Sequence, residues 1–118
     1  MRFLTLLIFM TLASMLTAQN PAPNSGPPAG NAVNGKKIYV AYGCYQCHGY
    51  EGQGGAGARL APRPISFTAF ARYTRQPTNQ MPPYTAKVVT DQELADIYAF
   101  LLTVPPPPAV DSIPLLSK

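Results

Sequence analysis

The chain has 118 residues, of which 12% are charged, 14 are proline and 9 are glycine. The charged share is about half that of an ordinary soluble domain, and Pro plus Gly is well above its usual level. Such a chain excludes a large α/β enzyme, a coiled coil or a porin-like barrel. A net charge of +4 with no run of five or six Lys or Arg gives no tail for nucleic acid.

Residues 1–18 read as a secretory signal peptide: Arg2 is a minimal positive start, residues 3–10 are apolar apart from Thr5, and Ala18 is a small residue at the cleavage point. The segment is shorter than the ~20 residues of a spanning helix, and Thr11, Ser14 and Thr17 dilute it further. An uncleaved anchor is the alternative. Gln19 follows the cut, so no cysteine stands there to carry a lipid. The expected location is therefore periplasmic or secreted. Residues 19–31 carry Pro, Asn, Gly, Ser and Ala without a large apolar side chain, the composition of a flexible tether.

Residues 32–104 form the one candidate folded domain, and the expected architecture is all-α with three or so helices. A first helix fits residues 32–42 and ends at Gly43. Residues 49–64 hold five of the nine glycines and two prolines, a loop in which backbone must approach something closely. Ser66 is an N-cap candidate for a short helix with Phe67, Phe70, Ala71 and Thr74 at helical spacing. The final helix has the clearest signature. Thr90-Asp91-Gln92-Glu93 is a capping box, Leu94, Ile97, Tyr98 and Leu101 recur at i, i+3, i+4, i+7, and Pro105 stops the run. Residues 105–118 begin as polyproline II and make a proline-rich tail, either a disordered end or a docking segment.

A domain of this size is near the limit at which an apolar core alone suffices, so a staple is expected. The two cysteines stand three positions apart, and a disulfide closing so small a loop would restrict the unfolded chain little. Cys44-Tyr45-Gln46-Cys47-His48 is instead the C-x-x-C-H attachment pattern of c-type haem. Two thiols on one helical turn can add to the two vinyl groups of one porphyrin, and the next residue then offers its imidazole to the iron. A zinc site wants four ligands, and the chain holds two Cys and one His in all. A thioredoxin-like pair needs a βαβ surround, and no strand pattern flanks the motif. The second axial ligand cannot be histidine. Met1, Met10 and Met15 leave with the signal, so Met81 is the one thioether of the mature chain, in a loop stiffened by Pro82 and Pro83. A gap-filling role is the alternative for Met81. Arg59 and Arg63 suit haem propionates, with solvated surface arginines as the bland reading, and Tyr84 is a further hydrogen-bond candidate. Leu60, Phe67, Phe70, Tyr73 and Leu101 are expected as the apolar surround.

Gly35 and Tyr39, the Cys44–Cys47–His48 motif, Met81-Pro82-Pro83 and the aromatic-bearing last helix together resemble the class I c-type cytochromes, small monohaem proteins of the exported bacterial type. The resemblance covers residues 31–104. It implies a small cytochrome c fold wrapped around one covalent haem c with its iron held by His48 and Met81. It also implies that the first and last helices cross at Gly35, with Gly35 and Tyr39 against Ile97, Tyr98 and Leu101. The family's Gly-Pro-x-Leu stretch reads Gly57-Ala58-Arg59-Leu60 in this chain. In the family the proline carbonyl accepts the proton on the histidine's outer nitrogen, and the resemblance implies the same role for the Ala58 carbonyl.

With both axial positions filled by protein, the expected role is a one-electron carrier, not an enzyme. A thioether and an apolar surround raise the potential. Partners are expected to be redox proteins (a dehydrogenase, an oxidase or another cytochrome) met transiently by a monomer. No nucleic acid is expected, and membrane contact only in passing or through an uncleaved signal. Two other readings stand beside it: a haem c subunit or dedicated acceptor of a periplasmic dehydrogenase or respiratory oxidase, and a haem ligand sensor or peroxidase. The last needs an open distal side and an acid–base group there, which a chain with one histidine does not offer.

Overall fold

The first helix begins where Asn31 can cap it. The Asn31 side chain accepts from the Asn34 N–H at 3.0 Å, satisfying one of the free donors of the first turn. In the computed structural model residues 27–116 are described. Four helices, α1 (Ala32–Ala41), α2 (Cys44–His48), α3 (Phe67–Arg75) and α4 (Asp91–Thr103), are followed by one 3-10 turn, Val110–Ser112. No strand occurs among the described residues, so the fold is all-α. The expected signal peptide and most of the expected tether lie outside the described residues.

Local chemistry sets the helix boundaries. α1 closes at Tyr42, whose N–H reaches the Ile38 carbonyl at 2.9 Å, and Gly43 at φ 74° turns the chain into α2. Ser66 caps α3 by accepting from Ala69 N–H. Thr90 and Glu93 close a reciprocal capping box at the start of α4: Thr90 N–H donates to Glu93 Oε2 at 2.7 Å and Glu93 N–H donates to Thr90 Oγ1 at 3.2 Å.

α4 is the element around which the others pack, touching both α1 and α3. It crosses α1 at Gly35, as the family resemblance implies. A Cβ built there would stand 1.9 Å from the Asp96 carbonyl oxygen and 2.3 Å from its carbon, so only a residue without a side chain admits this approach. The aromatic pairing differs from expectation. Tyr39 packs on Phe100, ring centroids 5.4 Å apart. Tyr98 faces α3 instead of α1, against Phe67 at 5.3 Å and Phe70 at 5.5 Å, and its hydroxyl donates to the Ile65 carbonyl at 2.9 Å. A helix pressed from two sides buries more than one stripe, which is why Ala95, Asp96 and Phe100 are buried beside the expected Leu94, Ile97, Tyr98 and Leu101.

The buried Asp96 carboxylate ties the middle of α4 to the start of α1. Its oxygens accept from Asn31 N–H at 2.8 Å and Asn34 Nδ2 at 2.7 Å. The bond from the Asn31 backbone, then that from Asn34, holds the carboxyl below its usual value. A negative group at the first turn of α1 also suits the helix dipole. Beyond α4 the chain runs extended through Pro105 to the Val110–Ser112 turn, with Val110, Leu115 and Leu116 exposed. No helix among the described residues is long and apolar enough to cross a membrane.

Candidate functional site

α2 is only five residues long and carries Cys44, Cys47 and His48 on little more than one turn. The loop after it folds back over this turn. Gly54 N–H donates to the His48 carbonyl at 2.8 Å and Gly57 N–H to the Cys47 carbonyl at 2.8 Å. A Cβ at Gly57 would stand 2.9 Å from His48 Cε1 and 3.0 Å from Nδ1, so the glycine lets backbone lie against the imidazole. One residue on, the Ala58 carbonyl meets His48 Nδ1 at 2.6 Å. A carbonyl can only accept, so Nδ1 carries a proton, and in the neutral imidazole that tautomer puts the lone pair on Nε2. Alanine thus makes the contact that proline supplies in the family pattern.

A cavity of about 290 Å³ opens beside His48. Leu60, Phe70 and Ile97 give it apolar walls, Arg59 and Arg63 also line it, and Met81 reaches it from the far segment between α3 and α4. His48, Arg59, Leu60, Arg63 and Met81 are therefore brought together, as is Tyr73. Arg63 takes a left-handed backbone, φ 62°, which for a side chain of this size costs about 1–2 kcal/mol. Cys44 is half-buried and Cys47 exposed, and burial pushes the Cys44 thiol above its ordinary value.

Three residues differ from expectation. Tyr84 does not line the cavity. Its hydroxyl donates to the Tyr42 carbonyl at 3.0 Å, which commits its one proton, and burial raises its pKa. Phe67 and Leu101 are not in the cavity wall either. Phe67 lies edge-on to Tyr98, and Leu101 is fully buried in the core. Ile97, whose backbone nitrogen lies against Gly35 of α1 as expected, also takes a place in the wall. The segment carrying Met81 is held by contacts that the sequence pattern did not indicate. Tyr84 N–H donates to the Thr74 carbonyl at 3.0 Å. The Arg75 guanidinium donates to the carbonyls of Tyr84 at 2.7 Å and Val89 at 2.6 Å and pairs with Asp91. The positive charge of Arg75 in the last turn of α3 was legible; its acceptors, 9 to 16 positions away, were not.

This donor set fits a haem. An imidazole with its outer nitrogen spoken for, a thioether, apolar walls and two guanidiniums surround one space, with two thiols on the adjoining turn. The comparison with known families agrees: residues 30–101 match the family described as cytochrome c oxidase, cbb3-type, subunit III. The chain belongs to this family. It is a small c-type cytochrome, a haem-based electron-transfer protein and not an enzyme. Cytochrome c-555 of Methylococcus capsulatus is 29% identical to it over 94 residues, covering 76% of each chain. No solved structure matches the cytochrome at comparable strength.

Proposed function

We propose that this cytochrome is an exported one-electron carrier whose single haem c is bonded through Cys44 and Cys47 and held at its iron by His48 and Met81. The observation that carries the proposal is the 2.6 Å contact between His48 Nδ1 and the Ala58 carbonyl, which leaves Nε2 as the free ligand beside a cavity that Met81 also lines. Bound there, the haem supplies a one-electron ferric/ferrous couple. The chain's own residues do the rest. Ala58 fixes the imidazole's tautomer and orientation. Leu60, Phe70 and Ile97 keep water from the site and disfavour added charge. Arg59 and Arg63 offer fork-shaped donors to carboxylates, and Arg63 does so from its left-handed backbone. Tyr84 serves the site through the loop it anchors. With two protein ligands in place, partners exchange electrons and not atoms, and these partners are redox proteins.

The ferric absorption spectrum tests the ligand set: a weak far-red band of sulfur on iron is expected, and Met81→Ala removes it. A band unchanged by that substitution refutes Met81, and pigment extracted by acid acetone refutes covalent attachment. A second reading, a haem c subunit or dedicated acceptor of an oxidase or dehydrogenase complex, draws support from the oxidase subunit named in the family description and from the exposed apolar side chains of the tail. Gel filtration of the native extract separates the two, since a free carrier elutes as a small monomer and a subunit elutes with its complex.

A further inference from the structure

We infer that Arg75 is the positioning residue for Met81, setting how firmly the sulfur is held against competing ligands. The inference rests on the proposed role of Met81 and goes beyond it. Fifteen residues, 76–90, separate α3 from α4, and they include three prolines and no regular helix or strand. A segment of that kind has little local structure of its own to aim a side chain. Arg75, at its root, makes good the lack. One guanidinium nitrogen reaches the Tyr84 carbonyl at 2.7 Å and the Val89 carbonyl at 2.6 Å, and another reaches Asp91 at 2.6 Å. These acceptors lie just after Met81, at the end of the segment and at the start of α4. The side chain is only 19% exposed, against 86% for Asp91, so its bonds to the carbonyls are shielded while the ion pair is not.

The consequences follow from geometry. Met81 is bracketed by Thr74 and Arg75 on one side and by Tyr84 on the other, where the Tyr84 N–H to Thr74 bond and the Tyr84 hydroxyl to Tyr42 bond add two further ties. Arg75 is the group that joins this bracket to Val89 and α4. A lysine keeps the charge and can meet Asp91, but one ammonium cannot replace a planar fork that serves two carbonyls and a carboxylate together. Losing the fork leaves both carbonyls to water and widens the range of positions open to the sulfur.

Added imidazole competes with Met81 for the iron, so its apparent Kd in the ferric holoprotein reads how firmly the sulfur is held. Arg75→Lys and Arg75→Gln are expected to bind imidazole at least about tenfold more tightly than the parent, which converts to about 1.4 kcal/mol and matches one lost hydrogen bond to a charged donor. The far-red band is expected to disappear at lower temperature in both. Asp96→Asn loosens the distant α1–α4 contact and serves as the control: it lowers stability and leaves the imidazole Kd at the parental value. Arg75 variants with the parental Kd overturn the inference, and so does an equal tightening in Asp96→Asn, which would mark a general loss of stability. Failure of the underlying reading looks different, because the far-red band would then survive Met81→Ala.

Discussion

Gly35→Ala sets two well-measured effects against each other. In a helix interior alanine is favoured over glycine by about 1 kcal/mol, so a view confined to α1 predicts a more stable protein. The packing says the opposite. The new Cβ would lie 1.9 Å from the Asp96 oxygen, 2.3 Å from the Asp96 carbon and 2.8 Å from the Ile97 nitrogen. All three are backbone atoms of α4, and none can swing aside as a side-chain end would. Reaching ordinary contact requires α1 to retreat by about 1.5 Å, which opens the layer of Ile38, Tyr39 and Leu101 between the helices. Overpacking of this kind costs about 1–3 kcal/mol or somewhat more, and the loosened layer adds to it. The net expectation is a loss of at least about 2 kcal/mol, a fall in Tm of about 10 °C or more for a domain of this size. Thermal unfolding of the ferric holoprotein followed by circular dichroism, with guanidinium unfolding to check that the slope is unchanged, measures it. A variant as stable as the parent, or more so, refutes the close crossing and shows that helix propensity decides at this position.

Asp96→Asn carries a pH signature. The folded carboxyl sits below its usual value of 3.8 because of Asn31 and Asn34, so its stabilisation is complete above that value and is lost as pH falls through the depressed one. The stability gap between parent and variant is therefore expected to be constant near neutrality and to close in strong acid; a gap that widens on acidification contradicts the assigned contacts. Thr90→Ala removes the cap of α4 and is expected to cost about 1 kcal/mol, read as a lower guanidinium midpoint. Electron exchange with an acidic redox partner is expected to slow as salt is added, because Arg59 and Arg63 line the cavity while Lys36 and Arg75 are engaged with Glu51 and Asp91; a rate indifferent to salt would remove charge from the account of docking.

The sequence by itself determined whatever depends on neighbours within about one helical turn. Such contacts survive in any fold that makes the helix. Cys44, Cys47 and His48 share a turn because of their spacing, Ser66 caps Ala69, and Thr90 with Glu93 closes its box three residues apart. Gly35 was legible through the family pattern, since a position that admits no side chain leaves its mark in residue identity.

Only the tertiary structure decided which way each face turns and which distant groups meet. Periodicity placed Ile97, Tyr98 and Leu101 on one stripe of α4. It is the wedge of that helix between α1 and α3 that sends Ile97 to the cavity, Tyr98 to Phe67 and Phe70, and Leu101 to the core. Asp96 counted as one charge among several until Asn31 and Asn34, 65 and 62 positions away, came to it. The Tyr84 hydroxyl finds Tyr42 across 42 positions. Spacing along a chain gives the azimuth of a side chain on its own helix, whereas the partner at that azimuth depends on how the helices cross, and here that is set by where backbone can approach backbone.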